Sequence, residues 1–371
     1  MTSIESTMDA AGGANAPASA KASASVGSDA ASGSASAAAA SATSATSAAD
    51  LPAAVRDARI CLVSPGRNEA EYAPRTIESM IAQHKRPDLW VIVDDGSTDA
   101  SPELLAAAAA EHPWIKIVRR EDRGHRAVGP GVIDAFYGGL DTVDLESFDF
   151  VGKFDLDLVL PPTYFSGLVQ RMTDDPRIGT LSGKAWYRDK QTGEQVSEFI
   201  GDEMSIGAAK FYRRACFTEI GGFVREVMWD GIDCHRARMG GWKAASLHDE
   251  ELSFEHLRPM GSSQHSMWTG RMRHGFGQYF MGTGLSYMSA SALYRMIRPP
   301  IFVGGLAMWW GFVRAMLGRV DRYKDPDFRR FLRGYQWASL RAGKAATVTR
   351  IEAEGAAIWN ARHGDGSGSP A

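Results

Sequence analysis

The chain has 371 residues and a formal net charge of −3 at pH 7. That charge argues against a general nucleic-acid binder, which needs a basic surface to meet the phosphate backbone. The three cysteines, Cys61, Cys216 and Cys234, lack the spacing of metal ligands, so a reduced, cytosolic setting is expected.

Residues 1–55 are dominated by Ala, Ser, Gly and Thr. Such a segment cannot bury enough apolar area to offset its chain entropy, and we expect a disordered tail. The remainder suits one large α/β domain over 56–260, a helical region over 261–360 and a second disordered tail over 361–371.

Strands and helices alternate along the first part of the domain. Apolar runs predict strands over 59–63, 89–93, 115–118 and 150–154. Helical spacing predicts helices over 76–83 and 132–140, and a further helix begins after Ser101 as its cap. This alternation predicts a mainly parallel, Rossmann-like sheet flanked by helices. Ligands bind at the carboxyl edge of the strands in such a sheet, where four polar loops converge: 65–69, 94–99, 123–126 and 155–157.

Two carboxylates close the strand predicted over 150–154. In an extended chain, Asp155 and Asp157 point to one side and Leu156 points to the other. Carboxylates this close repel each other unless a cation lies between them, and Mg²⁺ or Mn²⁺ with oxygen ligands meets that need. We therefore predict a metal site here, placed to hold a diphosphate. The alternative is a solvated turn at the end of a strand.

The second half of the domain is less regular. We predict helices over 164–172, 211–220 and 228–238, and a strand over 178–187. The last of these helices begins with Asp230 and Asp233, whose carboxylates suit the positive end of the helix dipole.

The C-terminal region is rich in arginine and contains an apolar run over 301–313, which Arg314 ends. The run is too short for a confident membrane span, so we expect an interfacial or re-entrant segment over 299–318. The next helix repeats apolar residues beside arginines: Phe328, Phe331, Leu332 and Tyr335. That helix either lies on an anionic bilayer or packs against the domain as a core helix.

Five short motifs occur in an order that resembles a known family. They are Val63-Ser-Pro-Gly-Arg-Asn68-Glu69, Val93-Asp94-Asp95-Gly-Ser-Thr-Asp99, Phe154-Asp155-Leu-Asp157, Gly221-Gly222-Phe223 and Trp229-Asp230. From about residue 58 to 245 the chain resembles the inverting family 2 glycosyltransferases of bacterial cell-surface polysaccharide synthesis, which have the GT-A fold. The resemblance implies that 56–260 is a GT-A catalytic domain.

The resemblance also implies roles for the matching positions. Those that match the family's nucleotide-sugar site are Pro65, Glu69, Asp94, Asp95, Arg123 and Asp155. Among them, Asp95 matches the aspartate that reads the base. Asp157, helped by Asp155, matches the acid that holds Mg²⁺ or Mn²⁺ on the donor diphosphate.

Asp230 matches the catalytic general base, with Arg236 following at the family's interval. The chain departs from the family pattern because Trp229 stands where Glu usually precedes the base, so Asp233 is a competing candidate. Leu158 also follows the acid pair where another polar residue is usual, which would leave metal coordination mostly to Asp157.

The implied partners are a nucleotide-diphosphate sugar, a lipid-linked sugar or glycan acceptor, and a membrane surface. The Gln-x-x-Arg-Trp signature of processive synthases is absent from the sequence, so transfer of a single sugar is expected. Further candidates for binding diphosphate or acceptor are Arg271, Arg273 and Gln278. We expect a cytoplasmic protein that is peripheral at the inner membrane.

Two other functions are considered. A catalytically silent, glycosyltransferase-like subunit would bind nucleotide or a partner enzyme without turnover, and an assay of donor hydrolysis or transfer separates it from an enzyme. A dinucleotide-dependent oxidoreductase is disfavoured because the first strand lacks the three-glycine turn that a pyrophosphate needs. Three histidines are alternative bases: His248, His256 and His274.

Overall fold

The computed structural model describes residues 50–122, 124, 129–198, 201–258, 267–297 and 302–364. The described residues belong to one compact unit. The tails predicted over 1–55 and 361–371 lie mostly outside the described residues. The domain boundary predicted near residue 260 stays a prediction.

Eleven strands occur in the described ranges. In chain order they are β1 Ile60–Gly66, β2 Leu89–Asp94, β3 Ile115–Arg119, β4 Phe150–Phe154, β5 Leu158–Val159, β6 Ile178–Gly183, β7 Ala185–Arg188, β8 Gln195–Ser197, β9 Ala209–Arg213, β10 Lys243–Leu247 and β11 Phe254–His256. Seven of them form a central sheet in the order β10–β6–β9–β4–β1–β2–β3. Strand β9 is antiparallel to β4 and β6, and the other neighbours are parallel.

The α-helices in these ranges are α1 Ala53–Arg56, α2 Ala73–Ile81, α3 Ser101–Glu111, α4 Pro130–Leu140, α5 Tyr164–Asp174, α6 Arg214–Glu219, α7 Trp229–Met239, α8 Met267–Met281, α9 Leu285–Met296, α10 Val303–Leu317, α11 Pro326–Ala342 and α12 Lys344–His363. They cover the sheet on two sides. Leu62 and Ile92 belong to one buried cluster, whereas Val63 and Val93 belong to another, because successive side chains of a strand point to opposite faces. The predicted sheet flanked by helices is therefore confirmed.

Two predicted elements were wrong in the second half. The strand predicted over 178–187 is divided into β6 and β7, and β7 belongs to a small sheet of order β5–β11–β7–β8. The helix predicted over 211–220 is strand β9 in its first part and α6 in the rest, because β9 inserts between β4 and β6. Strand β11 of the small sheet lies near the carboxyl edge of the central sheet, because Arg258, which follows β11, contacts Glu69 and Asp157 there.

The segment predicted over 299–318 contains α10, and residues 299–301 lie outside the described residues. One face of α10 is buried through Met308 and Phe312, and Gly311 approaches Met272 of α8 closely. The described helices include none with the length and apolar character that a membrane span requires.

Helix α11 closes the domain as a core helix. Phe328 and Leu332 are buried in a cluster with Ile232 of α7 and Phe280 of α8. Its apolar face is thus covered by protein, which decides against the alternative that this face lies on a bilayer.

Stability should fall in mild acid because of His235. This side chain is buried on α7 against the ring of Tyr335, 4.9 Å away, and burial lowers the pKa of His235 from 6.5 to about 3. The unfolded chain therefore binds one more proton than the native protein between these values, and the free energy of unfolding decreases as the pH falls from 6.5 towards 3. The expected slope is about 1.4 kcal/mol per pH unit, measured by urea unfolding at a series of pH values.

The His235→Leu variant should lose this component of the slope. His248→Leu is the matched control, since His248 is exposed. An unchanged slope in His235→Leu would show that this histidine is not the acid-sensitive group.

Candidate active site

The nucleotide loop follows β1 at the carboxyl edge of the sheet. Strand β1 continues through Gly66, which pairs with Asp94 of β2. Pro65, predicted to lie in the loop, is therefore a strand residue opposite Val93, and that prediction was wrong. The loop itself begins at Arg67, directly beside the end of β2.

Hydrogen bonds fasten this loop to the loop after β2. The backbone N–H groups of Asn68 and Glu69 donate to Ser97 Oγ and Ser101 Oγ, at 2.9 and 2.8 Å. In return, the N–H of Thr98 donates to Asn68 Oδ1 at 2.8 Å. Ser101 is the first residue of α3 rather than its cap, and its side chain serves this cross-link.

Asp94 is the last residue of β2, Asp95 begins the second loop, and both are buried. Asp94 Oδ1 accepts a hydrogen bond from the N–H of Ser97 at 2.8 Å, so this carboxylate shapes the turn. Asp95 Oδ1 lies 3.2 Å from Arg120 Nη1, and its carbonyl accepts a hydrogen bond from Arg67 Nη1 at 2.9 Å. Two guanidinium groups thus supply positive charge around Asp95.

Asp157 is buried between two basic side chains. Arg258 Nη2 lies 2.7 Å from Asp157 Oδ2 and 3.0 Å from Glu69 Oε1, which joins the end of β4 to the nucleotide loop. His256 Nε2 lies 3.6 Å from Asp157 Oδ1, and its Nδ1 lies 3.1 Å from Glu198 Oε1. Burial alone would raise the pKa of Asp157, but His256 and Arg258 outweigh it and hold this pKa below its usual value.

His256 is a partner of the acids rather than a base. Burial lowers the pKa of His256, but its contacts with Asp157 and Glu198 prevail and raise this pKa to about 10. An imidazolium that keeps its proton at neutral pH cannot accept one from a substrate. His248, another alternative base, is exposed beside Asp202.

Asp155 lies on the open side of the acid pair, and Leu156 between the two acids is buried in the core. Lys153 pairs with Asp155 and also donates to the carbonyl of Gly207 at 3.0 Å. Burial raises the pKa of Asp155, Lys153 opposes this change, and the charge of Asp157 adds to it.

Asp155 and Asp157 offer oxygen ligands for a divalent cation shared with a substrate, beside the basic side chains of Lys153, His256 and Arg258. Asp157 Oδ1 is buried and accepts no hydrogen bond from the described residues. Within the same residues, no group of three or more His, Cys, Asp or Glu side chains could hold a metal by itself. Because Mg²⁺ commonly binds to one or two carboxylates and completes its shell with phosphates and waters, two carboxylates beside a diphosphate are sufficient.

Asp230 lies in the first turn of α7 and is linked to the acid pair by a short chain of contacts. A Cβ atom on Gly207 would lie only 3.0 Å from Asp230 Oδ2, so glycine permits this approach. The carbonyl of Gly207 accepts a hydrogen bond from Lys153, which pairs with Asp155. The predicted base and the predicted metal site are therefore connected through Lys153 and Gly207.

The charge on Asp230 is balanced by neighbours from two elements. Desolvation raises the pKa of Asp230, and Lys210 opposes it. Desolvation lowers the pKa of Arg273 on α8, and the negative charge of Asp230 opposes this change. The guanidinium of Arg273 is therefore near enough to interact with the carboxylate of Asp230. Of the three candidates on α8, Arg273 is close enough to Asp230 for their charges to interact, whereas Gln278 accepts a hydrogen bond from Thr283 Oγ1 at 2.9 Å.

Asp233, the competing base, has a structural role. It is buried, and its Oδ2 accepts hydrogen bonds from Lys210 Nζ and from the hydroxyl of Tyr212, each at 2.5 Å. Lys210 also donates to the carbonyl of Asp230 at 2.8 Å. Asp233 therefore holds the start of α7 in place and has no access to an acceptor.

A comparison with protein families matches residues 61–225 to the model described as Glycosyl transferase family 2. This region, 165 of the 371 residues, resembles glycosyltransferase family 2. The matched region begins in β1 and contains both loops and the acid pair, so four of the five motifs recognised in the sequence fall within it. The fifth, Trp229-Asp230, lies beyond its end.

Two curated relatives illustrate the range of the family. The beta-monoglucosyldiacylglycerol synthase of Synechocystis sp. is 23% identical over 243 residues, which cover 60% of this chain and 48% of that protein. The poly-beta-1,6-N-acetyl-D-glucosamine synthase of Staphylococcus aureus is 24% identical over 126 residues, which cover 34% of this chain and 28% of that protein. The chain thus matches less than half the length of either relative.

Solved structures show the same fold at low identity. The structure of GalNAc-T7 with UDP, GalNAc and Mn²⁺ aligns with a TM-score of 0.51 at 14% identity, covering 77% of this chain and 58% of that chain. This likeness concerns the fold alone and agrees with the GT-A architecture predicted from the sequence.

The family motifs do not identify the cations that organise this candidate site. Those found in the structure are Arg67, Lys153, Lys210 and Arg258. A lysine inside the apolar strand β4 is a signal that sequence reasoning could have used, because a buried charge requires a partner. Arg123, predicted to lie near the base and phosphates, is outside the described residues.

Proposed function

We propose that this protein is an inverting glycosyltransferase that moves a sugar from a nucleotide-diphosphate donor to a lipid-linked sugar or glycan acceptor. The observation that carries the proposal is a set of contacts between the acids. Arg258 joins Asp157 to Glu69 in the loop beside Asp95, and Lys153 joins Asp155 to Gly207, which abuts Asp230. Transfer requires that the nucleotide is held, that the leaving diphosphate is stabilised and that a base takes the acceptor proton. Asp95, the Asp155–Asp157 pair and Asp230 meet these three requirements in that order.

The donor side of the cleft combines acids and guanidinium groups. Asp95 offers its carboxylate to the base, with Arg67 and Arg120 beside it. Asp157 and Asp155 would hold Mg²⁺ or Mn²⁺, which supplies positive charge to the leaving diphosphate. The solved structure of GalNAc-T7, which shares the fold, holds Mn²⁺ together with UDP.

On the acceptor side, Asp230 takes the proton of the attacking hydroxyl. Its raised pKa makes the carboxylate a stronger base than an ordinary surface aspartate. Arg273 orients an acceptor that carries negative charge. A single displacement with the base opposite the leaving group inverts the configuration of the anomeric carbon.

A membrane-bound acceptor and a place at the cytoplasmic face of the inner membrane belong to this proposal. Two observations support them. One relative is named for a glycolipid product and another for a polysaccharide. The C-terminal helices also expose apolar side chains beside arginines, a composition that suits the interface of a bilayer.

Binding of nucleotide tests the donor side of the site. A nucleoside diphosphate at about 100 times its Kd should raise the free energy of unfolding by about 2.7 kcal/mol, seen as a higher Tm, and Mn²⁺ should strengthen the effect. Asp157→Asn should abolish the contribution of Mn²⁺, because the buried carboxylate loses its charge. Asp174→Asn is the control, since that carboxylate lies at the exposed end of α5.

Transfer assays then separate an enzyme from a silent subunit. We expect donor hydrolysis or transfer that requires Mn²⁺, with an inverted product detected by NMR. Nucleotide binding without any turnover across the common sugar nucleotides would favour the silent subunit. A retained configuration, or stabilisation indifferent to both chelator and Asp157→Asn, would refute the mechanism proposed.

A further inference from the structure

Helix α10 carries an apolar stripe that the described chain leaves uncovered. The stripe runs along one side of the helix through Val303, Leu306, Trp310 and Leu317, whose exposed fractions are 50%, 48%, 46% and 71%. Their spacing of three, four and seven residues places them on one face. Leu293 of α9 and Ile297, which directly follows that helix, are also exposed, at 65% and 74%. We call these six side chains the α9–α10 face.

The opposite side of α10 is packed as tightly as a protein core. Met308 and Phe312 are buried, and a Cβ atom on Gly275 of α8 would collide with the carbonyl of Met308. Gly311 lets the backbone of Met272 approach in the same way. The exposed stripe therefore belongs to a helix that is firmly held, and its exposure is not a consequence of loose packing.

The charged side chains of the helices around this face are all positive. Helices α8, α9 and α10 carry four arginines and no acidic residue. Arg314 is exposed within the stripe, between Trp310 and Leu317. The whole chain has a net charge of −3, so this positive region is a local feature.

We propose that the α9–α10 face docks into the headgroup region of an anionic lipid bilayer. An arginine inside an apolar stripe suits this environment, because its aliphatic stem can lie among acyl chains while the guanidinium reaches a lipid phosphate. Tryptophan is enriched at the same depth. The 15 residues of α10 span about 22 Å, short of the roughly 30 Å of a hydrocarbon core, so the helix lies in the interface.

Helix α8 lies between the α9–α10 face and the proposed base, Asp230. Helix α8 packs against α10 and also presents Arg273 to Asp230. Gly277 of the same helix abuts Met228, which precedes α7. Docking would thus bring the acceptor side of the cleft close to the bilayer surface, where a lipid-linked sugar is available. This last step rests on the proposed function, whereas the docking itself does not.

Vesicle binding tests the docking without donor or acceptor. The full chain is sedimented with vesicles of phosphatidylcholine alone and of an equal mixture of phosphatidylcholine and phosphatidylglycerol. We expect binding to the anionic vesicles that weakens with added salt. Leu306→Glu combined with Trp310→Glu should reduce the partition coefficient at least about tenfold, since burial of one large apolar side chain exceeds 1.4 kcal/mol.

Trp337→Glu combined with Ile358→Glu is the matched control, because these residues of α11 and α12 are exposed to 41% and 42%. The control should bind vesicles as the unmodified protein does. If the first double variant does not fold, Arg314→Gln replaces it, and the expected result is binding that depends less on salt.

Three outcomes would overturn the proposal. They are no binding of the unmodified protein to anionic vesicles, equal losses in the test and control variants, and self-association through the α9–α10 face that Leu306→Glu abolishes in sedimentation without any vesicle binding. A transfer assay with a water-soluble acceptor examines the enzymatic activity separately, so failure of docking and failure of the proposed function can be distinguished.

Discussion

Replacing Asp230 with asparagine should lower the rate of transfer about 10²–10⁴-fold, because the acceptor hydroxyl then has no base to take its proton. The affinity for nucleotide and the Tm should remain unchanged. Asp230 accepts none of the hydrogen bonds that fasten the nucleotide loops, and its side chain faces Gly207 at the border of the cleft. The measurements are kcat with a sugar nucleotide, a titration of nucleotide and a melting curve.

The pH dependence of the rate provides a second readout for Asp230. Desolvation raises its pKa above the usual 3.8, and the base acts in its ionised form. The rate of the unmodified enzyme should therefore fall as the pH decreases through this raised pKa. Asp230→Asn should lose this limb, whereas Asp174→Asn should keep both the rate and the limb. A variant of Asp230 that turns over normally would assign the base to another group.

The nucleotide half of the site was predictable because its motifs are local. The Val-Asp-Asp-Gly-Ser-Thr-Asp stretch contains the partners it needs, and Asp94 accepts its hydrogen bond from Ser97, three residues on. Strands β1, β2 and β4 are mostly apolar and are buried along almost their whole length, as expected for parallel strands covered on both faces. Sequence reasoning therefore located the carboxyl edge and the acids on it.

What the sequence did not reveal depends on distant contacts. Arg258 bridges Asp157 and Glu69, and it is 189 residues from Glu69 along the chain. The division between β6 and β7 has the same kind of cause, because the carbonyl of Leu252 passes so close to Gly183 that no Cβ atom would fit there. The sequence from 178 to 187 does not indicate that Leu252, about 70 residues later, packs against Gly183.

The other large effect concerns stability, through the buried pair of Lys210 and Asp233. Lys210→Met should lower the free energy of unfolding by about 3–5 kcal/mol, because it leaves the carboxylate of Asp233 buried without its cation. Burial alone would lower the pKa of Lys210, but Asp233 raises it above its usual value, so Lys210 is charged in the native protein. Urea unfolding at neutral pH measures the change.

The double variant, Lys210→Met with Asp233→Leu, separates charge from packing. Replacing both members of a buried ion pair by apolar groups is often neutral, so much of the stability should return. The hydroxyl of Tyr212 then loses its acceptor, and a residual cost of about 1–3 kcal/mol is expected. A double variant as unstable as Lys210→Met alone would show that packing, rather than charge, makes this pair important.

Activity of the double variant reveals whether the pair also positions the base. Lys210 Nζ donates to the carbonyl of Asp230, so its loss frees the first turn of α7 even in a folded protein. A reduced kcat at unchanged KM for the donor is therefore expected, since the nucleotide loops have separate fastenings at Ser97 and Ser101. Normal kcat in a stable double variant would mean that α7 holds Asp230 in place without help from Lys210.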